Sequence, residues 1–455
     1  MSYSDIYGNR PPEFASKSSH SQIIKDKNVN DYLAKCQLPN YAEEIDEGNF
    51  VNKIEALKHV SDADNPINYI LAFDCGYNKS IARKSFPSAE VALIQFGALF
   101  LSLKDIEDIE SKPFANPKEM AKLKRTQTWN LVLPISGIKY KDKTSLLDSI
   151  RITLKEFFDK PLTSTPDSTL LVALKWLIYQ EYGDRQEGIQ LNACPHPGCQ
   201  AKNIDLDRNK EAFTCPSCRQ ELFLIDLFRF HELIDEEQGA NGIIIYLISL
   251  VEQLLIVHYL RFFTIKSPEN LRQILFLRDG PLAFFGQTAL FHKHMLQLVN
   301  FLQSKYLLHL AGLEKSGSFV DHAIEVCNQP HEKISKGHFF LLNNDYIYKY
   351  IIAGKSDHKR PYGSSTNYGS KLIFQDSNGH IHLVSIPVAH NKIVLNPDPS
   401  DFKNLVYILN VIEKLKCDMY DNALLPITLV NKAVSLANRP SAIILEKFAK
   451  YKIVK

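Results

Sequence analysis

The sequence predicts a mixed α/β fold carrying one small inserted metal module. Three observations point there. Short apolar runs that read as buried strands alternate with longer apolar stretches that read as helices. Two of the strand-like runs end in an aspartate. Four of the eight cysteines fall within 25 residues of one another.

Residues 1–45 are polar, with little apolar periodicity, and read as a flexible arm that orders on a partner. The stretch 46–66 (FVNKIEALKHV) reads as a helix. Ile67 to Asp74 is a short apolar run followed by Gly76, so it reads as a buried strand. Val91 to Leu103 gives another strand, with Thr128 to Ile135 as its partner. Between them, 104–125 is charge-dense, contains Pro113 and Pro117, and reads as a solvated excursion. Helices follow at 144–160 and 168–182. Beyond the cysteines, ELFLIDLFRFHELIDEE leads into a long apolar helix, 243–265.

Arg272 to Asp279 is the second acid-terminated run, and a helix is expected from Thr288 to Tyr306. The next strand ends near Lys315, and Ser318 is the expected N-cap of the helix after it. Residues 353–371 read as loop. KLIFQD and HIHLVSIPV form two strands joined at Ser-Asn-Gly, a hairpin signal. The last helical stretch includes Leu424 to Lys450. The resulting plan is an arm at 1–45, the first part of the core at 46–190, a cysteine module at 191–225 and the rest of the core at 226–455.

Composition bounds the function classes. The chain has 455 residues, 45% hydrophobic and 23% charged, which excludes a mostly disordered chain, a collagen and a coiled-coil rod. The net charge of +2 gives no global field for polyanions, so any nucleic-acid contact must use a local basic surface. The first residues, MSYSDIYGNRPPEFASKSSHSQ, have no apolar core and read as no signal peptide, which fits a cytoplasmic protein. Ile243–Ile265 has the length of a membrane span, but Glu252, Gln253, His258 and Arg261 interrupt it. A central carboxylate in lipid costs roughly 2.5–3.5 kcal/mol. A buried helix with no membrane is the better reading, and its central acid then needs a reason.

The cysteines are spaced Cys194-x4-Cys199, fifteen residues, then Cys215-x2-Cys218. Two close pairs on tight turns (CPHPGC and CPSC) can surround one tetrahedral Zn²⁺, and the stretch between them reads as a hairpin. Four thiolates close the coordination sphere, so this zinc is structural rather than catalytic. His196 is an alternative ligand.

Three acids stand out. Asp74 and Asp279 end apolar strands, where α/β sheets place their sites. Glu252 sits in an apolar helix, which is costly unless it is paired or metal-bound. Each has a plain alternative: a turn before Gly76, an Asp-Gly-Pro turn, and a pair with Arg261 or Arg272. Together they repel unless divalent cations neutralise them, and Mg²⁺ and Mn²⁺ prefer oxygen ligands. Two such ions about 4 Å apart stabilise the attacking and leaving oxygens in phosphodiester cleavage. The order strand-Asp, helix-Glu, strand-Asp is that of an RNase H-like nuclease core.

Here the chain resembles the NurA nuclease family, DNA-end-processing enzymes that work with HerA-type hexameric ATPases. The matching pieces are FDCG at Asp74, the helix with Glu252, FLRDGPLAFFG at Asp279 and GLEKSGSF with Lys315. YGSSTNYGSKLIFQDSNGHIHLVSIP and LLPITLVNKAVSLA also match, as does a zinc ribbon followed by an ELFLIDLFRFHE-like stretch. The resemblance implies an RNase H-like mixed sheet flanked by helices with an inserted four-cysteine zinc ribbon. It implies a metal-dependent deoxyribonuclease in which Asp74, Glu252 and Asp279 hold two Mn²⁺ or Mg²⁺ ions and Lys315 holds the phosphate or orients water. A HerA-type ATPase partner, a homodimer, and a role in DNA repair or antiviral defence go with it. One departure matters: the family's last helix carries a histidine ligand where this chain has Asn431, a neutral and weaker oxygen donor. His322 and His390 are the candidates to replace it.

Basic residues mix with aromatics in two places: Lys79, Arg83 and Lys84 after the first acid, and Lys355, His358, Lys359, Arg360 and Tyr362 in the long loop. Lys79, Arg83, Lys84, Lys359 and Arg360 are the expected DNA contacts. No G-x-x-x-x-G-K-S/T loop is present, so a motor would have to be another protein. Two rivals remain: an Argonaute PIWI-like nuclease, and a non-catalytic zinc-ribbon DNA-binding or scaffold subunit of an ATPase complex.

Overall fold

The computed structural model describes residues 23–41, 44–45, 53–83, 86–110, 126–183, 188–210, 212–328, 333–389, 394–417, 423–436, 444–445 and 447–448. In chain order the main elements are α1 (Lys27–Leu33), β1 (Ile54–Ala56), β2 (Tyr69–Arg83), β3 (Phe86–Ser102), α2 (Leu103–Glu110), β4 (Thr126–Ser136), α3 (Leu146–Asp159) and α4 (Leu170–Ile178). Four short strands follow: β5 (Ile189–Ala193), β6 (Lys202–Leu206), β7 (Phe213–Thr214) and β8 (Glu221–Leu222). Then come α5 (Ile244–Lys266), β9 (Ile274–Asp279), α6 (Phe291–Tyr306), β10 (His309–Glu314), α7 (Ser318–Cys327) and β11 (His338–Leu341). The last are β12 (Ser370–Gln375), β13 (Ile381–Ile386), α8 (Leu405–Lys414) and α9 (Leu425–Val434).

Nine strands form one mixed sheet in the order β1-β11-β12-β13-β10-β9-β2-β3-β4. β2, β3 and β4 make an antiparallel meander. β9 lies parallel to β2, and β10 parallel to β9. The sheet is apolar on both faces because both are covered. Along β2, Leu71 and Phe73 join one core with α3, α4, α5 and α6, while Ile70 and Ala72 join the other with α8 and α9. A third cluster packs α7 on β11, β12 and β13. Phe73, Phe96 and Phe276 are fully buried, each contributing about 2–3 kcal/mol by transfer.

β2 pairs with β9 only as far as Phe73, opposite Arg278. Beyond that point β2, β3 and β4 continue as a ribbon, so Asp74 sits inside a 15-residue strand rather than at its end. A β-branched apolar run shows where a strand starts more clearly than where it stops.

Most expected elements are present, including the β12–β13 hairpin, where Gly379 takes φ +97° and Asp376 accepts the Asn378 and His380 N–H groups. Three differ. Ile54–Ala56, expected as helix, pairs with β11 as an edge strand; a free sheet edge outweighs weak helical periodicity. β11 lies in a stretch for which no element is expected. Ser318 is the first residue of α7, and Gly317, at φ +106°, precedes it without a side-chain cap. α1 buries none of its residues, and 1–22 of the expected arm lie outside the described residues.

α5 is the one helix, among the described residues, long and apolar enough to cross a membrane, and 72% of its apolar window is buried inside the protein. It is apolar around most of its circumference because the sheet lies on one side and α4 on another.

Candidate functional site

The register of the central strands brings the two aspartates together. Phe73 is opposite Arg278 and Leu313 is opposite Asp279. The residue after Phe73 is Asp74 and the residue after Arg278 is Asp279, so both acids lie where β9 ends. Alternation puts both on the face covered by α8 and α9. Arg278 points to the other face, where it meets Glu252 from α5.

Each acid here but one has its own cation. Lys315 Nζ donates to Asp279 Oδ2 at 2.8 Å. Arg278 Nη2 donates to Glu252 Oε2 at 3.3 Å and to Ser249 Oγ at 2.8 Å, and its Nη1 donates to the Pro281 carbonyl. Glu314, next to Lys315, accepts from buried Lys371. Asp74 has no ion-pair partner among the described residues. Its Oδ1 accepts the Cys75 N–H at 2.7 Å, and its Oδ2 is buried with no hydrogen bond. A buried, orphaned carboxylate oxygen is costly unless something absent from the chain satisfies it.

Electrostatics shows that the acids sense one another. Burial pushes the Asp74 carboxyl up to about 6, Asp279 pushes the same way, and the Asn431 side chain, the Cys75 N–H and Lys315 pull back. Burial pushes Glu252 up to about 8, against Arg278 and with the charges of Asp74 and Asp279. Asn431, on α9 and exposed, thus sits beside Asp74. The three acids are nevertheless not within one ion's reach of each other. Among the described residues, only the four cysteines form a group of three or more Cys, His, Asp or Glu whose ligand atoms all lie within 4.8 Å. The physical reason is that Asp74 and Asp279 leave one face of the sheet, while Glu252 comes from the other and is held by Arg278.

Glu252 pairs with neither Arg261 nor Arg272. Arg278 was missed, although it is a charge inside an apolar run, the same signal that singled out Glu252. Of the two histidines considered as substitutes, His322 lies in another core with its Nε2 2.8 Å from the Tyr346 hydroxyl, and His390 lies outside the described residues.

Lys79 is exposed on β2, five residues past Asp74, and donates to Asn241 Oδ1 at 3.1 Å. The Arg83 side chain and Lys84 lie outside the described residues. Lys359 and Arg360 are exposed in their loop. That loop is tied to the segment following Asp279: the Phe284 N–H donates to the Thr366 carbonyl and the Tyr368 N–H to the Leu282 carbonyl, both at 2.9 Å.

The cysteine module is two hairpins, β5–β6 and β7–β8. Cys194 and Cys199 flank the turn of the first, and Cys215 and Cys218 that of the second. The stretch between the pairs, read as one hairpin, instead supplies a strand to each. Cys194 and Cys218 sulfurs lie 3.8 Å apart, and Cys199 and Cys215 3.6 Å. A tetrahedral ion with metal–sulfur bonds of about 2.3 Å needs sulfurs about 3.8 Å apart. The cluster can therefore hold one metal ion. His196 takes no part, since its Nε2 meets the Glu221 carbonyl at 3.0 Å. Arg151 of α3 fastens the module to the core: it pairs with buried Asp226 through two 2.8 Å bonds and donates to the Glu221 carbonyl at 3.0 Å.

No protein-family model matches the chain, and no curated protein matches it. Among solved structures, the NurA nuclease from Sulfolobus solfataricus is 12% identical with a TM-score of 0.32, over 96% of this chain and 98% of that one. A second NurA crystal structure is 11% identical with a TM-score of 0.31, over 97% of this chain and 100% of that one. A NurA bound to dAMP and manganese is 12% identical with a TM-score of 0.31, over 94% and 95%.

Proposed function

We propose that this chain is a metal-dependent deoxyribonuclease built on an RNase H-like core. The strand order β4-β3-β2-β9-β10, with the first three antiparallel and the last two parallel to β2, supports that core. The observation that carries the activity is the pair Asp74 and Asp279, adjacent where β9 ends, with Asp74 Oδ2 buried and unpartnered. The donor set fits hard cations: three carboxylates and one amide oxygen, all oxygen ligands. Asp74, Glu252, Asp279 and Asn431 would hold two Mn²⁺ or Mg²⁺ ions, which when bound supply a Lewis acid and an activated water for phosphodiester hydrolysis.

The chain's own residues do the rest. Arg278 holds Glu252 through its Nη2, and Glu252 would have to leave that bond to take part in holding an ion. Lys315, partly exposed and paired with Asp279, would take a phosphate oxygen. Lys79, Lys359 and Arg360, with Arg83 and Lys84, would steer the DNA backbone. The cysteine module would hold a structural Zn²⁺. A HerA-type ATPase, a homodimeric state and a cytoplasmic setting complete the proposal.

The test is Asp74→Ala and Asp279→Ala, assayed on labelled DNA with Mn²⁺ and checked for folding by circular dichroism. Both should abolish cleavage with the fold intact; cleavage retained by both would falsify the assignment. One observation favours a second reading, a DNA-binding scaffold: Asn431 stands where a stronger ligand is expected, and Glu252 is already paired with Arg278. Calorimetry showing no Mn²⁺ binding by the intact chain would favour it.

A further inference from the structure

Asn431 is exposed on α9, and its side chain reaches the buried Asp74. Its place is set by how closely α9 approaches the ribbon of β2 and β3. Two strand glycines lie under that helix. Gly97 is paired directly opposite Asp74, and Gly76 follows Asp74 by two residues, on the same face. Neither has a positive φ, so neither is needed for an unusual backbone conformation. Glycine inside a strand costs about 0.5–1 kcal/mol, and it marks places where another backbone comes close.

Here the close approach is explicit. A Cβ on Gly97 would lie 2.5 Å from Val434 Cγ1 and 3.1 Å from Val430 Cγ2. A Cβ on Gly76 would lie 2.0 Å from the Val434 carbonyl oxygen and 3.3 Å from the Ser435 Cα. Val430 and Val434 are one helical turn apart, so they form the ridge that α9 sets into this glycine groove. Asn431 follows Val430 on the adjoining side of the helix and thereby comes to Asp74.

We infer that Gly76 and Gly97 are positioning residues: their missing side chains let α9 settle onto β2 and β3, and this seating places the Asn431 amide beside Asp74 in the candidate metal site. The inference rests on the metal-site reading above. It concerns a pair of residues that touch neither ion nor DNA and act through the helix.

The experiment is Mn²⁺ titration calorimetry on the full chain. Gly97→Ala, which local strand preference alone would favour, should weaken Mn²⁺ binding by about tenfold, the scale of effects transmitted through a ligand's support. The clash is with a side chain, so Val434→Ala in the same molecule should restore most of the affinity. Gly76→Ala meets a backbone carbonyl, so Val434→Ala should not rescue it. The decisive readout is the Asn431→Ala background, where Gly97→Ala should cause no further loss. Should Gly97→Ala not fold, Val434→Ile crowds the same contact from the helix side and should lower affinity in the Asn431 protein only. Equal losses with and without Asn431, or no loss at all, would overturn the inference while leaving the metal site standing. A wild-type chain that binds no Mn²⁺ would overturn both.

Discussion

Arg278 Nη2 lies 3.3 Å from Glu252 Oε2, and both side chains are almost wholly buried. This pair explains how an acid can sit in the middle of a long apolar helix. It also means that Glu252 is not a free ligand waiting for a cation; its charge is already half answered. Removing Arg278 should therefore be more damaging than neutralising Glu252. Arg278→Ala should cost about 3 kcal/mol, the lower end for breaking a buried pair, because Glu252 can take up a proton. Glu252→Gln should cost less. Urea denaturation in EDTA measures both, and an Arg278→Ala chain as stable as the wild type would contradict this account.

The pH dependence follows from the direction of the shifts. Glu252 moves from 4.5 to about 8 and Asp74 from 3.8 to about 6 on folding. The folded state holds these protons more tightly, so their stabilising contribution is fully present below the unfolded values. It is lost as pH rises through the folded values. Metal-free protein should therefore lose stability between about pH 4 and pH 8, and Glu252→Gln should flatten the upper part of that slope. Mn²⁺ binding must displace the same protons, so it should strengthen over that interval and release protons into the buffer. Melting curves with EDTA and with Mn²⁺, at several pH values, check the sign; metal-free stability that climbs toward pH 8 would refute it.

The cysteine cluster should yield one zinc per chain by metal analysis. Cys215 is fully buried, so Cys215→Ser should release the metal and open both hairpins. Arg151 then loses its Glu221 carbonyl, and α3 should become more exposed to hydrogen exchange. A metal-free chain with unchanged exchange at 189–222 would show that the sulfurs merely lie near one another.

Asn431 offers a gain-of-function test. Replacing an amide by an imidazole at the same place supplies a stronger, still neutral ligand. Asn431→His should tighten Mn²⁺ binding on the order of tenfold, or about 1.4 kcal/mol. Asn431→Ala should weaken it, and should also raise the Asp74 carboxyl further, since the Asn431 side chain favours the ionised form. Equal Mn²⁺ affinity in all three chains would remove Asn431 from the site.

The exposed pair Lys359 and Arg360 should act through charge alone. Lys359→Ala with Arg360→Ala should reduce DNA affinity similarly for all sequences and flatten its salt dependence by up to about two counterions. Fluorescence anisotropy across a salt series reads this; an unchanged slope would place the DNA elsewhere.

Some of this was legible without coordinates because it depends on local chemistry. Cysteine spacing fixes which sulfurs can share an ion, and apolar length fixes that Ile274–Asp279 is a buried strand. The acids were found one at a time because a carboxylate in an apolar run is costly wherever the chain goes. What local chemistry cannot encode is register and facing. Only the parallel pairing of Phe73 with Arg278 sets Asp74 next to Asp279, and only the pleat turns Arg278 to the other face, where α5 brings Glu252 to it. Gly76 and Gly97 look like ordinary breaks in a strand until a helix more than 300 residues later rests on them. A chain specifies its own periodicities, but the distance between two of its residues is decided by the packing of everything between them.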